Sequence, residues 1–251
     1  MKLRAVGIIP ARLRSTRFPA KPLALLCGKP MIAHTFEAAS RAANLDAVYV
    51  ATDAVEIASL LPSAAILTDA ACANGTERVL QALTRLPQPA SLCDIVVNIQ
   101  GDEPAIDPAH IDLCVAALQD DPTCVMSTLM APVRTEAEAR SFNVVKVVAN
   151  HESHAMYFSR GLIPASKDDA FDPARTMKHI GLYAFRTSFL VDVFPTLTRH
   201  ELGDVEDLEQ LRVLEAGHKI KMVAVPSAHP GVDVPDDLAT LEAILSTDKS
   251  W

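Results

Sequence analysis

The chain has 251 residues, 49% of them hydrophobic and 22% charged, with a formal net charge of −8. That length suffices for a sizeable core, and the acidic balance excludes general nucleic-acid binding and attachment to anionic membranes, both of which need clustered basic charge. Cys27, Cys72, Cys93, Cys114 and Cys124 are odd in number and form no C-x-x-C pair, no apolar stretch approaches the roughly 18 residues of a membrane span, and a strand begins almost at once, so the expectation is a cytoplasmic protein with buried thiols, no signal peptide and no membrane insertion.

Residues 4–9 form a short apolar, β-branched run that reads as a buried parallel strand and stops at Pro10. Arg12, Arg14, Arg17 and Lys21 follow, interleaved with Pro10, Pro19 and Pro22. Proline fixes φ and removes a donor, so this is a stiff cationic loop at the carboxyl end of a first strand, where open α/β sheets bind ligands. Forked and point-charge donors together suit a polyphosphate. A turn at Gly28-Lys29-Pro30 leads to a helix over 31–43. A strand at 47–51 ends in Thr52-Asp53, where Asp53 is placed to cap a helix reaching about residue 61. A third strand covers 64–67, a helix opens at Asn74 and runs to 86, and the most strand-like run, 95–99, ends at Gln100-Gly101-Asp102-Glu103-Pro104. Alternating strands and helices over the first 120 residues predict a doubly wound parallel sheet.

The pattern then changes. Residues 125–131, 144–148 and 180–185 are strand-like with little helix between them, which predicts a β-rich sub-lobe over roughly 125–190 within a single domain. A helix over 205–216 carries Leu208, Leu211 and Leu214 on its apolar side and closes at Gly217. A late strand covers 220–225, and the turn beginning at Gly231 leads into the last helix.

The P-loop, the G-x-G-x-x-G dinucleotide fingerprint and the G-x-S-x-G elbow are all absent from the sequence. His151-Glu152-Ser153-His154 is one residue short of the zinc motif H-E-x-x-H, and on a helix would not set both imidazoles on one face. Gly101 allows close backbone approach, and the acids beside it suit a hard divalent cation bound to phosphates or, more simply, an ordinary turn and helix cap. Asp233, in a second turn after a strand, would supply a second carboxylate to that ion or merely cap the last helix. Arg160, His179 and Tyr183 are either satisfied polar groups of the sub-lobe or, with Gln100, Glu209 and Gln210, a pocket for a polyol carboxylate, arginine being the natural carboxylate partner.

These residues carry a resemblance. The chain resembles the 3-deoxy-manno-octulosonate (Kdo) cytidylyltransferases, or CMP-Kdo synthetases, over nearly its whole length. The shared motifs are I-I-P-A-R-x-x-S-x-R-F-P-x-K-P-L from Ile8, G-T-E-R from Gly75, N-I-Q-G-D-E-P from Asn98, Y-F-S-R from Tyr157, H-I-G-L-Y-A-F-R from His179, L-E-Q-L-R from Leu208 and G-V-D-V-P from Gly231. The resemblance implies a mixed sheet of the nucleotide-diphospho-sugar transferase, glycosyltransferase-A-like type. It implies a homodimer, dependence on Mg²⁺, and transfer of CMP from CTP to Kdo with release of diphosphate, for lipopolysaccharide synthesis. By similarity, Arg12, Ser15, Arg17 and Lys21 would hold the phosphates, and Pro10, Ala11, Asn74, Gly75 and Arg78 would line the cytidine pocket. Asp102 and Asp233 would hold Mg²⁺. Gln100, Arg160, His179, Tyr183, Glu209 and Gln210 would face Kdo. Lys21, Arg12 and the two aspartates would carry the catalysis.

The sequence departs from the family pattern at Ala20, commonly Gly, at Asn74, usually Ser, at Ala165, usually aromatic, and at Val234, usually Thr. None of these removes a charged group from the expected chemistry. The nearest rival activity is the same transfer to an amino analogue of Kdo or to another 2-keto sugar acid. A rival of another class is a non-catalytic nucleotide-binding regulatory module, whose signature would be loss of Lys21 or of the two carboxylates.

Overall fold

The computed structural model describes residues 3–13, 18–87, 92–197 and 201–247. They fall into two compact units, residues 1–112 with 229–251, and residues 113–228.

The first unit is built on a parallel sheet in the order β6-β1-β4-β5, made of β1 (Ala5–Ala11), β4 (Ala47–Thr52), β5 (Ala65–Leu67) and β6 (Ile95–Asn98). A two-residue hairpin, β2 (Leu25–Leu26) with β3 (Lys29–Pro30), turns through Cys27 and Gly28, both at positive φ. The helices α1 (Met31–Ser40), α2 (Val55–Leu60) and α3 (Gly75–Arg85) alternate with the strands, as the sequence predicts. The unit boundary falls within α4 (Pro108–Asp120), and α8 (Pro235–Thr247) returns to this unit at the end of the chain. β6 is buried along its whole length, which is why it reads as an unbroken apolar run. Leu26, Met31, Ala105, Val232, Leu241 and Leu245 form a cluster that seats α8 beside the turn after β6.

Two local expectations change. β1 does not stop before Pro10 but continues through it, in register Pro10 with Ala51 and Ala11 with Thr52. β6 accompanies β1 only as far as the pair Ile8–Asn98, so a strand residue lacking an N–H is tolerated beyond that point. Asp53 does not cap α2. The N-cap is Ala54, whose N–H is taken by Thr52 Oγ1 at 3.1 Å, and Asp53 is drawn instead to Arg78.

The second unit holds a mixed sheet. β7 (Cys124–Pro132) runs parallel to β11 (Lys219–Ala224) and antiparallel to β10 (Met177–Arg186). β10 pairs antiparallel with β8 (Lys146–Ala149), and β8 with β9 (Ala155–Ser159). Short helices α5 (Glu136–Arg140), α6 (Glu201–Glu206) and α7 (Leu211–Glu215) complete it. The helix predicted over 205–216 is therefore broken. Asp207 adopts a left-handed φ of 52°, and Leu208 N donates back to Gly203 O at 3.0 Å, the closure of a Schellman end without glycine. The predicted stop at Gly217 is present, at φ 79°. Val147 and Phe158 are buried partners across the β8–β9 ladder, and Val144 is half-buried. The ladder slips between Tyr157 and Ala155, which leaves Met156 without a cross-strand partner and 63% exposed while Phe158 is buried. Among the described residues no helix is long and apolar enough to cross a membrane, and all five cysteines are free thiols.

Candidate active site

The first unit carries a cleft at the carboxyl ends of β1 and β6. Pro10, Ala11, Arg12, Lys21, Asn74, Gly75, Arg78, Gln100, Asp102 and Asp233 line it, all of them expected site residues. Pro22, Met31, Cys72 and Gly101 also line it and were not expected to. Ser15 and Arg17, expected on the phosphates, lie outside the described residues.

Lys21 organises one side. It opens a short 3₁₀ turn, Lys21–Leu23, whose entry residue Ala20 is left-handed. Its Nζ donates to Asp102 Oδ2 at 2.8 Å and to Val232 O at 2.7 Å, and lies 3.7 Å from Asp233 Oδ1. One ammonium thus gathers both predicted metal carboxylates. Asp102 and Asp233 remain 36% and 61% exposed at their side chains, while Lys21 is only 14% exposed. The turns are held closely together: Val232 N donates to Asp102 O at 2.9 Å. Beside Asp102, burial pushes the Glu103 carboxyl up to about 8, with the Asp102 charge adding to it.

The other side is the start of α3. Asn74 Oδ1 accepts from Glu77 N at 2.8 Å, and Glu77 Oε2 accepts from Ala73 N at 2.8 Å, a reciprocal cap that fixes the helix entry at the cleft. A side chain at Gly101 would place its Cβ 3.0 Å from Pro10 O, and one at Gly75 would meet Pro10 Cγ at 3.3 Å, so both glycines are there because the backbones pass so closely. Arg78 is 2% exposed. It donates to Thr68 Oγ1 at 2.5 Å and lies 3.6 Å from Asp53 Oδ1. Asp53 and Thr68 set this arginine, a pairing invisible along the chain because a carboxylate after a strand reads first as a cap.

The predicted sugar residues are divided. Gln100 lines the cleft of the first unit, its Nε2 3.4 Å from Asn98 Oδ1. The others belong to the second unit. His179 packs against Phe158 edge-on, at 5.1 Å between centroids, and against Tyr183 at 5.4 Å. Its Nε2 is 2.9 Å from Thr128 Oγ1, and the hydroxyl proton goes to Ile180 O, so Nε2 carries the imidazole proton. Burial lowers the His179 pKa to about 3, which keeps it neutral. Arg160 spends each of its three nitrogens on a backbone carbonyl: Nε on Glu206 at 2.6 Å, Nη1 on Phe142 at 3.0 Å and Nη2 on Asp207 at 3.1 Å. It is a clamp on the chain in this structure, a role that its position in Y-F-S-R does not reveal. Glu209 lies 3.8 Å from Arg212, and Gln210 is buried.

A carboxylate, a thiol and an imidazole also meet within the second unit, at Asp121, Cys124 and His154. His154 Nε2 is 2.7 Å from Asp121 Oδ2, and Lys221 Nζ is 3.4 Å from the same oxygen. Burial and the Asp121 charge push the Cys124 thiol up to about 11. With the thiol protonated and a lysine already beside the carboxylate, this group is complete as an ion-paired knot.

A parallel sheet with a proline-stiffened basic loop, a capped helix entry and two converging carboxylates on one cleft defines an enzyme of the nucleotidyltransferase class. The comparisons narrow it. The sequence profile of the cytidylyltransferase family matches residues 6–220. A 3-deoxy-manno-octulosonate cytidylyltransferase of Syntrophobacter fumaroxidans is 44% identical over 249 residues, 98% of each chain. One from Zea mays is 45% identical over 97% of this chain and 82% of its own. An 8-amino-3,8-dideoxy-manno-octulosonate cytidylyltransferase of Shewanella woodyi is 41% identical over 96% of this chain and 98% of its own. Among solved structures, a CMP:2-keto-3-deoxy-manno-octonic acid synthetase complexed with CTP superimposes with a TM-score of 0.89 at 36% identity, covering 97% of this chain and 98% of that one. The chain belongs to the family of 3-deoxy-manno-octulosonate cytidylyltransferases.

Proposed function

We propose that the chain transfers the CMP moiety of CTP to the anomeric hydroxyl of 3-deoxy-manno-octulosonate, giving CMP-Kdo and diphosphate for lipopolysaccharide synthesis. The observation that carries this reading is the cleft in which Lys21 gathers Asp102 and Asp233 opposite the capped entry of α3, in a chain related end to end to enzymes of that name.

The sugar hydroxyl oxygen bonds to the α-phosphorus, the bond to the β-phosphate bridging oxygen breaks, and diphosphate leaves with the displaced electron pair. Such transfers need little covalent help from protein; positioning and neutralisation of charge dominate. Arg12 and the ammonium of Lys21 serve the negative charge on the phosphates and the departing diphosphate. The α3 entry receives the nucleoside end, with Arg78 held in place by Thr68 and Asp53. His179, kept neutral, offers hydrogen-bonding capacity on the sugar side without adding charge.

The carboxylates fit a hard divalent cation. Asp102 and Asp233 are partly exposed oxygen donors that already converge on one cationic centre, the Lys21 ammonium. Mg²⁺ held by these two residues would neutralise phosphate charge and make the sugar hydroxyl more acidic.

We also take the active species to be a cytoplasmic homodimer. Support comes from the family likeness and from exposed apolar side chains in the second unit, Phe142 at 72%, Met156 at 63% and Val205 at 85%. Light scattering at micromolar concentration should give twice the chain mass of 27.0 kDa.

The test of function is diphosphate release with CTP, Mg²⁺ and a panel of 2-keto sugar acids. Kdo should be turned over fastest. Preference for its 8-amino analogue, which the Shewanella woodyi relative's name carries, would replace the sugar in this reading but keep the chemistry.

A further inference from the structure

Glu206 ends α6 at the centre of a polar network in the second unit. Its Oε1 accepts from Ser159 Oγ at 2.7 Å and from the Tyr157 hydroxyl at 3.5 Å, and its Oε2 accepts from Arg160 N at 2.8 Å. Arg160 answers by donating Nε to Glu206 O and Nη2 to Asp207 O. One carboxylate and one guanidinium thus tie the end of β9 to the end of α6 twice, through side chain and through backbone. Behind them Lys146 is wholly buried. Its ammonium donates to Ser141 O at 2.9 Å, Val144 O at 2.6 Å and Arg160 O at 2.5 Å. A buried ammonium surrounded by carbonyls needs a counter-charge, and Glu206 supplies it: burial lowers the Lys146 pKa while the Glu206 charge raises it.

The same network decides where the chain goes next. Asp207, its carbonyl held by Arg160, takes the left-handed conformation and turns the backbone into Glu209 and Gln210. Gln210 is 4% exposed, yet its Nε2 has no hydrogen-bond partner among the described residues. A buried amide donor left unpaired is destabilising, so its persistence asks for a ligand acceptor.

We propose that Glu206 is a positioning residue for the sugar substrate: through Ser159, the Arg160 amide and the turn at Asp207 it fixes the segment that presents Glu209 and Gln210 to the sugar acid. This rests on the sugar-acid reading above and adds a residue to it that touches no substrate.

Glu206→Gln keeps the size but loses an acceptor for one of the donors from Ser159 and Arg160. In the full chain it should raise the KM for the sugar acid tenfold or more, leave the KM for CTP within twofold, and lower kcat by less than threefold. Ser159→Ala, which removes one of the bonds to Glu206 and the bond accepted from Gly161 N at 3.0 Å, should shift the sugar KM the same way by a smaller factor, and the double variant should fall short of the product of the two. Hydrogen exchange in the intact protein supplies a readout independent of turnover: amides at 157–161 and 207–210 should exchange at least tenfold faster in Glu206→Gln, with those of the first-unit strands unchanged. Equal rises in both KM values, or unaltered exchange at those two segments, would overturn the proposal. If Glu206→Gln does not fold, Ser159→Ala decides it on the same two measurements. A wild-type enzyme inactive on every sugar acid would instead count against the substrate reading, and the exchange result would still judge Glu206.

Discussion

Lys21 Nζ donates to Asp102 Oδ2 at 2.8 Å, joining the phosphate loop to a carboxylate turn 81 positions away. Its bond to Val232 O and its approach to Asp233 bring in the second carboxylate turn from the far end of the chain. Under the proposed function the lysine would have two tasks, to meet phosphate charge and to keep two carboxylates together. Lys21→Ala should lower kcat/KM by a hundredfold or more, on the order of 3 kcal/mol of transition-state stabilisation. Steady-state kinetics on the folded variant check it, and a near-normal rate would show the loop to be only a solvated surface.

Asp102 and Asp233 should behave as one unit. Asp102→Asn and Asp233→Asn are each expected to remove most turnover with little effect on folding, and the double variant should be scarcely worse than either, because groups acting on the same centre are not additive. Electron paramagnetic resonance with Mn²⁺ in place of Mg²⁺ should show weaker metal binding in both single variants in the presence of CTP. An active Asp233→Asn enzyme with unchanged Mn²⁺ affinity would leave Asp102 as the sole carboxylate of the site.

The nucleotide should be CTP. Pro10 lies between Gly75 and Gly101 at distances that leave no room for a Cβ without movement, so this wall of the cleft has no slack for a larger base. ATP and GTP should be poor substrates, and Gly75→Ala should raise the KM for CTP several-fold. Equal turnover of ATP and CTP would refute this.

His179 makes stability depend on pH. Unfolded, an imidazole titrates near 6.5; folded, burial lowers it to about 3. Above pH 6.5 both states are neutral and the residue has no effect. As pH falls from 6.5 toward 3, the unfolded chain takes up the proton and the folded one does not, so the fold loses stability. His34 and His110, also lowered by burial, act in the same direction. His179→Gln should therefore lose less stability than wild type between pH 7 and pH 4.5, by roughly 2 kcal/mol in denaturant titrations. Parallel curves for the two proteins would show that His179 titrates normally.

Much of the first unit is legible in the sequence because local signals and tertiary demands agree there. The unbroken apolar run of β6, the Asn74 cap and the proline-studded loop each announce the element they form. The cleft residues follow, since the carboxyl ends of parallel strands are where such loops gather. The second unit is harder to read. The partners of Arg160 lie as far as 47 positions away and are backbone carbonyls, which have no residue identity to notice. Glu206 ends a helix that periodicity would carry straight through to Ala216. Asp53 fails for a similar reason: its partner Arg78 becomes a neighbour only when α3 packs beside β4.

Ala20 sits at φ 54° and ψ 26°, a left-handed conformation in which a side chain is unwelcome. The loop keeps that shape regardless, since Ala20 N donates to Leu13 O at 3.0 Å and Leu23 N donates to Ala20 O at 2.9 Å, so its ends are stapled before and after the strained residue. A methyl group has thus been admitted at a point where it stiffens the denatured chain while straining the native one, two effects of about 1 kcal/mol that oppose each other. Swapping in glycine would leave the melting temperature almost where it was and loosen only the unfolded ensemble. Sequence drift at this position is therefore nearly silent in the finished protein, while the lysine that follows it is held to a single place.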